Sequence, residues 1–250
     1  MAGHSKWANI KHKKAATDAK RGKVWSKLSK AIMVAAKNGG SDMDVNIRLR
    51  TLVGDARAVS MPKDNIARAI KKGAGELENI AFEEIIYEGY GPGGVAVMCD
   101  ILTDNRNRTS PELKKLFEKS GGKMGATGCV GYLFERKGLF IISAEVTDEE
   151  KLMEVALEAG ADDIANVDEG FEVTCEPEKY SDVSEALEKA EITCVTKQVT
   201  RIPSNTVDLN GSDARKTLKM IDELEDHDDV QNVSANFNLT DEVLAEISQE

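Results

Sequence analysis

Apolar positions along this chain repeat with two periods, helical alone at the front and alternating between strand and helix from Phe82 on. As far as about residue 75 the spacing is helical. Trp25, Leu28, Ile32 and Ala35 fall at i, i+3, i+7 and i+10, one face of a predicted helix over 24–37. Asn38-Gly39-Gly40 stops it, since glycine tolerates the left-handed conformation in which helices end. Ile47, Leu49, Leu52, Val53, Ala56 and Val59 supply the inward side of a second helix over 44–59, with Arg48, Arg50 and Arg57 outside. Pro62 opens a third, where its missing N–H costs nothing. Ile66, Ala67 and Ile70 face inward there, Lys63, Arg68, Lys71 and Lys72 face out, and Gly73 and Gly75 end it. Residues 1–22 carry no apolar period and read as an extended or loosely helical arm.

From Phe82 the alternation is that of strands. Residues 82–90 and 95–103 read as two strands joined by Gly91-Pro92-Gly93-Gly94. Thr109 or Ser110 caps a helix with Pro111 at its start, which runs to Lys119 and Gly121-Gly122. Strands follow at 129–135 and 139–143, across a turn at Arg136-Lys137-Gly138. Thr147 and Glu150 form a capping box for a helix ended by Gly160. Strands at 163–167 and 171–175, a helix over 181–190 and a strand over 193–202 come next. Residues 139–202 therefore spell βαββαβ, the ferredoxin-like order. A short strand at 206–209, a helix over 212–224 and a strand over 230–237 make a second βαββαβ with the elements at 95–103, 111–119 and 129–135. The predicted fold class is α+β: an N-terminal helical domain with a basic arm, plus two ferredoxin-like α+β domains, one inserted in the other. The predicted boundaries are 1–79 for arm and helical domain, 80–137 with 204–240 for the host, and 138–203 for the insert. Residues 241–250 form an acidic tail, frayed or a short helix.

Charge sharpens this picture. The first 37 residues hold ten Lys or Arg and one acid, Asp18, a net of +9 in a chain whose total is −11. Residues 1–80 carry +10 and residues 81–250 carry −21. A basic module is thus joined to an acidic body, which points to a polyanionic partner for the front. Lys6, Lys11, Lys13, Lys14, Lys20, Arg21 and Lys23 are nearly unopposed by acids, so without a partner they repel one another. Phosphates relieve that repulsion, with release of condensed counterions. Trp7, His4 and His12 lie among them, and aromatic rings stack on exposed bases. Arg68, Lys71 and Lys72 extend the set, and Arg106 and Arg108 in Asp104-Asn105-Arg106-Asn107-Arg108-Thr109 make a second phosphate-contacting point. The alternative for that stretch is a polar loop with a helix cap. The acidic domains are left to a protein partner.

Other chemistry finds little footing. Cys99, Cys129, Cys175 and Cys194 all fall in predicted strands and form no C-x-x-C pair, so buried reduced thiols are expected. The three histidines make no metal-ligand cluster. Gly89, Gly91 and Gly94 fit G-x-G-x-x-G formally, but a dinucleotide site needs that turn to open a helix, and here a strand follows. Gly121-Gly122 and the glycines at 125 and 128 read as a flexible link. Dense carboxylates at 148–150 and 162–163 read as helix-start and solvent-face residues. No catalytic residue, cofactor or metal is expected. No apolar run approaches the ~18 residues of a membrane span, and the basic start has no apolar core behind it as a secretory signal would. A cytoplasmic location is expected.

Several longer motifs carry a resemblance. Gly3-His4-Ser5-Lys6-Trp7, Ile10-Lys11, Met61-Pro62-Lys63, Asn65-Ile66 and Arg68-Ala69-Ile70 look like the YebC/PmpR family. So do 87–94 (YEGYGPGG) and 102–109 (LTDNRNRT), and the match spans essentially the whole chain. Cys129 departs from it, since many relatives have Ser there. The resemblance implies a three-domain α/β protein, with no agreed catalytic residue or cofactor. It also implies a cytoplasmic DNA-binding transcriptional regulator, while mitochondrial relatives are described as translational activators and bacterial ones are linked to the ribosome. The leading expectation is a nucleic-acid-binding regulator of gene expression, with the Lys-rich arm on DNA phosphates. The alternative is a translation factor on ribosomal RNA, because phosphates look alike to lysine.

Overall fold

The computed structural model describes residues 18–77, 81–167 and 170–248. Three helices come first: α1 (Asp18–Gly39), α2 (Ile47–Ala58) and α3 (Lys63–Gly73). α1 begins six residues before the predicted start, because Ala19, Lys20, Arg21 and Lys23 are good helix formers but no large apolar residue marks the period there. Ile32, Ala35, Ala36, Leu49, Val53, Ala56, Met61, Ile66 and Ala69 form the core of this unit. Ile47, Val59 and Ala67, predicted to face inward, are exposed. The first two sit at the ends of α2, beyond its packed turns, and Ala69 takes the place expected of Ala67. Asn46 ties the helices together. Its side chain accepts from Leu49 N to cap α2 and donates to the carbonyls of Ala35 and Gly40, each at 2.8 Å. Gly73 lies where α3 touches α1: a Cβ there would sit 2.2 Å from the Met33 carbonyl oxygen.

The rest of the chain runs β1 (Glu83–Tyr90), β2 (Ala96–Thr103), α4 (Arg106–Lys119), β3 (Lys123–Met124) and β4 (Phe134–Ser143). Then come α5 (Glu149–Glu158), β5 (Ala161–Val167), β6 (Gly170–Cys175), α6 (Tyr180–Lys189) and β7 (Cys194–Pro203). It closes with β8 (Val207–Asp208), α7 (Gly211–Glu225), β9 (Val230–Ala235), β10 (Phe237–Asn238) and α8 (Asp241–Ser248). One four-stranded sheet has the order β3-β1-β2-β9, and a second has the order β5-β6-β4-β7. The second is antiparallel throughout and its order is that of a ferredoxin-like unit. β8 and β10 form a separate parallel pair. The first sheet buries Val97, Cys99 and Ile101 against Leu113 and Phe117 of α4 and Ala214, Leu218 and Ile221 of α7. Its other face carries a smaller cluster of Ala96, Met98 and Val130. The second sheet buries Phe140, Ile142, Phe171 and Val173 under α5 and α6, with Tyr180 stacked on Phe140. Arg201 of β7 pairs with Asp100 of β2 at 2.8 Å and joins the two sheets.

Several predicted elements are corrected. No strand forms over 129–133, where Gly131–Leu133 is a 3-10 turn. No turn forms at Arg136-Lys137-Gly138 either. β4 is one ten-residue strand paired with β7 from Phe134 to Ile142. Gly138 is there for room, not for a bend, since its Cβ would meet Cys175 Sγ at 2.6 Å. Pro111 lies inside α4 because Asn105, not Thr109 or Ser110, caps that helix; its side chain accepts from Arg108 N at 3.1 Å. Asp148 rather than Thr147 caps α5. The thiol of Cys99 is buried, and Cys129 lies in a turn rather than a strand; all four thiols are free. The run at 91–94 is the turn of the β1–β2 hairpin, a single 3-10 turn over Pro92–Gly94 that opens no α-helix, with Gly93 and Gly94 at φ 69° and 79°. The glycine link over 125–128 is pinned together with the turn after it, because the Glu88 carbonyl accepts from Gly125 N and its carboxylate accepts from the backbone N–H groups of Gly128, Val130 and Gly131 at 2.7–2.8 Å. Burial pushes the Glu88 carboxyl up, but those three bonds outweigh it and hold the group below the usual carboxylate range.

Candidate nucleic-acid interface

Lys6, Trp7, Lys11, His12, Lys13 and Lys14 lie outside the described residues. Lys20 and Arg21 are placed on the first turn of α1. Further along α1, Lys23, Lys27 and Lys30 fall at i, i+4 and i+7, one stripe of the helix. The stripe docks on the C-terminal end of α7 and the turn after it. Lys23 Nζ lies 2.6 Å from Asp226 Oδ2 and donates to the Asp226 carbonyl. Lys27 Nζ donates to the Glu225 carbonyl. Lys30 Nζ donates to the Asp228 carbonyl at 3.1 Å and to Asp229 Oδ1 at 2.8 Å. A helix ends in carbonyls without intrahelical partners and carries a partial negative charge there, so ammonium groups fit. Lys23, counted among the unopposed cations from sequence, has an acidic partner within the fold.

Asp229 is the hub of this joint. It is 1% exposed. Its Oδ2 accepts from Arg108 Nη2 at 2.5 Å, Thr109 Oγ1 at 2.8 Å and Thr103 Oγ1 at 3.2 Å. Burial raises the carboxyl, but hydrogen bonds from Lys30, Arg108 and Thr109 outweigh it and hold the group far below the usual range. His227 Nδ1 accepts from Asp229 N at 3.1 Å, and its Nε2 lies 3.0 Å from Glu112 Oε2. The stretch 104–109 is therefore a helix cap leading into a buried ion network. Arg108 pairs inward with Asp229 and Asp104. Arg106, two residues earlier on the first turn of α4, is exposed and has no ion pair among the described residues.

The outer faces of α2 and α3 are different. Arg68 and Lys71 are exposed, Lys72 is half-buried, and Arg50, Arg57 and Lys63 are exposed nearby in sequence. Each lacks an ion pair among the described residues, whereas Arg48 is paired with Glu84. Ile66, Ala69 and Gly73 hold the opposite face of α3 in the core, which fixes these cations outward. Sequence reasoning missed Asp229, Lys30 and Lys27. The i, i+4, i+7 spacing of the lysines was a signal for one stripe, but nothing local named its partner two hundred residues away. Among the described residues no group of three or more His, Cys, Asp or Glu is placed to hold a metal ion. No described helix is long and apolar enough to cross a membrane.

The fold and this surface define a mixed α+β protein whose helical front presents unpaired cations and is latched to an acidic sheet-bearing body. The chain belongs to the TACO1/YebC family. Residues 5–76 match the TACO1/YebC N-terminal domain, and residues 82–237 match the TACO1/YebC second and third domain. A probable transcriptional regulatory protein of Rhodopirellula baltica is 58% identical, covering 98% of this chain and all of the relative. One from Geobacter sulfurreducens is 56% identical over 99% of this chain and all of its own. A crystal structure of a conserved hypothetical protein from Aquifex aeolicus is similar with a TM-score of 0.84 at 50% identity, covering 94% of this chain and 97% of that one.

Proposed function

We propose that this protein is a DNA-binding regulator of transcription that grips phosphates through its N-terminal arm and the outer face of the helical unit. The observation that carries the reading is the run of exposed cations on α2 and α3, Arg50, Arg57, Lys63, Arg68 and Lys71, without ion pairs among the described residues in a chain of net charge −11. Unpaired cations gathered on one unit repel one another and are relieved by a polyanion. The relatives' naming as probable transcriptional regulatory proteins supports the same reading. Arg106 is a further contact, and the acidic second sheet stays clear of nucleic acid or faces a protein. Fluorescence anisotropy with labelled duplex DNA, titrated with salt, tests it. With about six phosphates engaged, log K falls with log salt at a slope of roughly −5. Charge reversal at Lys11, Lys13 and Lys14, or at Arg68, Lys71 and Lys72, flattens that slope. A reversed variant that binds as the parent does at moderate salt removes its cations from the interface.

A second reading, a translation factor on ribosomal RNA, is favoured by the β1–β2 end of the first sheet, where two tyrosines stand exposed. Sedimentation of lysate with and without RNase separates the two readings. RNase-sensitive migration with ribosomal particles selects RNA.

A further inference from the structure

At one end of the first sheet Tyr90 is 41% exposed and Tyr132 is 76% exposed. Local geometry puts both there. Tyr90 is the last residue of β1, opposite Ala96 of β2 and Lys123 of β3. Cross-strand partners point to the same face of a sheet, so Tyr90 and Lys123 share one. The Tyr90 hydroxyl donates to the Cys129 carbonyl at 3.0 Å, which fixes its ring over the start of the 129–133 turn. In that turn Val130 is buried and Leu133 packs against the same small cluster, so Tyr132 between them points out. Tyr132 follows Cys129, the residue whose carbonyl the Tyr90 hydroxyl reaches, by three positions. Desolvation, then Cys129, Tyr132 and Glu88, raise the pKa of the Tyr90 hydroxyl.

The surroundings are those of a nucleic-acid contact. Lys123 is exposed and has no ion pair among the described residues. Glu88, the carboxylate beneath, is consumed by three backbone N–H bonds. Gly94, Gly121 and Gly128 lie within two residues of Ala96, Lys123 and Cys129, each with nothing within 4 Å of where a Cβ would stand. We propose that Tyr90 and Tyr132, with Lys123 beside them, form a stacking platform for an unpaired nucleobase and its phosphate. Every base offers a π-face, so such a platform tolerates sequence and needs a single-stranded stretch. The site lies at the Ala96 end of β2, whereas the α1 latch lies at the Thr103 end, about 20 Å away at ~3.3 Å per strand residue. This proposal rests on the nucleic-acid reading above and narrows its substrate to strands with unpaired bases.

The test measures anisotropy of the full chain with a labelled uracil-rich RNA strand, a thymine-rich DNA strand and a duplex of equal phosphate number. Tyr132→Ala is expected to weaken single-strand binding about tenfold, within the range set by the loss of one stacked base. Duplex affinity stays within twofold, the salt slope is unchanged, and Tyr132→Trp restores binding. The side chain is exposed, and an unchanged melting temperature shows that the variant is folded. Single-strand binding that survives Tyr132→Ala and Tyr90→Leu, while wild-type affinity is intact, overturns the platform and leaves the phosphate reading standing; the rings would then suit a protein surface. An equal loss for strand and duplex overturns it as well. A wild type that binds none of the three probes removes the phosphate reading, and the platform with it. The relative loss on the two strands tells RNA from DNA as the source of the base.

Discussion

Two aspartates carry opposite electrostatic strain. Asp229 is buried with Lys30, Arg108, Thr103 and Thr109 around it, and its folded pKa lies below the unfolded one. Its contribution to stability is therefore fully present above an unfolded carboxylate pKa of about 3.9 and is lost as pH falls through the folded value. Asp229→Asn leaves Lys30 without a carboxylate and Arg108 with only the exposed Asp104 and Glu112, and removing one partner of a buried pair costs about 3–5 kcal/mol. Urea unfolding at neutral pH checks the magnitude, and the same curves below pH 4 should show the variant losing less than the parent. Asp55, on α2, is the reverse case. Burial pushes its carboxyl up to about 6, with Lys197 of β7 pulling it down. The folded state then binds the proton more tightly, so stability falls as pH rises from about 4 to 6. Asp55→Asn should raise the melting temperature at pH 7 by relieving up to about 3 kcal/mol, and the gain should vanish near pH 4. A gain that persisted at pH 4 would trace to packing rather than charge.

At the scale of elements, close approach decides more than turn chemistry does. Gly73→Ala drives a methyl into the Met33 carbonyl and must part α3 from α1, at about 1–3 kcal/mol. Thermal melting of the full chain, with Gly54→Ala on the open side of α2 as a control, measures that cost. The same physics explains what was readable. The helical stripe through Ile32 and Ala35 and the order of strands and helices over 161–203 follow from local period, which each segment carries in its own residues. Gly138 read as a turn because nothing near it announces Cys175 and Tyr180, the side chains that need its space. Residues 129–133 read as part of a strand because their apolar side chains serve the cluster on the far face of the first sheet instead of a ladder. Arg108 read as a phosphate contact for the same reason. Its partner, Asp229, is 121 residues further along the chain. Of the candidate site, the exposed cations of α3 were legible, since the amphipathic period says which side faces out.

For the molecule as a whole, α1 acts as a root. All but its last two residues lie in the basic segment, and its lysine stripe is seated on the end of α7. Replacing Lys23, Lys27 and Lys30 with Ala should loosen the helical unit from the sheets while leaving its own core of Leu49, Val53 and Ile66 intact. Limited proteolysis near residue 40 and hydrogen exchange in α1 report that release, and unchanged protection in all three variants combined would mean that other contacts hold the joint. The lysines that seat α1 are cations of the kind a phosphate chain would take. Capture of those ammonium groups by an external polyanion and their seating on Asp226 and Asp229 exclude one another, so each equilibrium weakens the other by the same coupling. Whatever loosens the joint must raise the affinity of the root for a polyanion by the same factor that a bound polyanion loosens the joint.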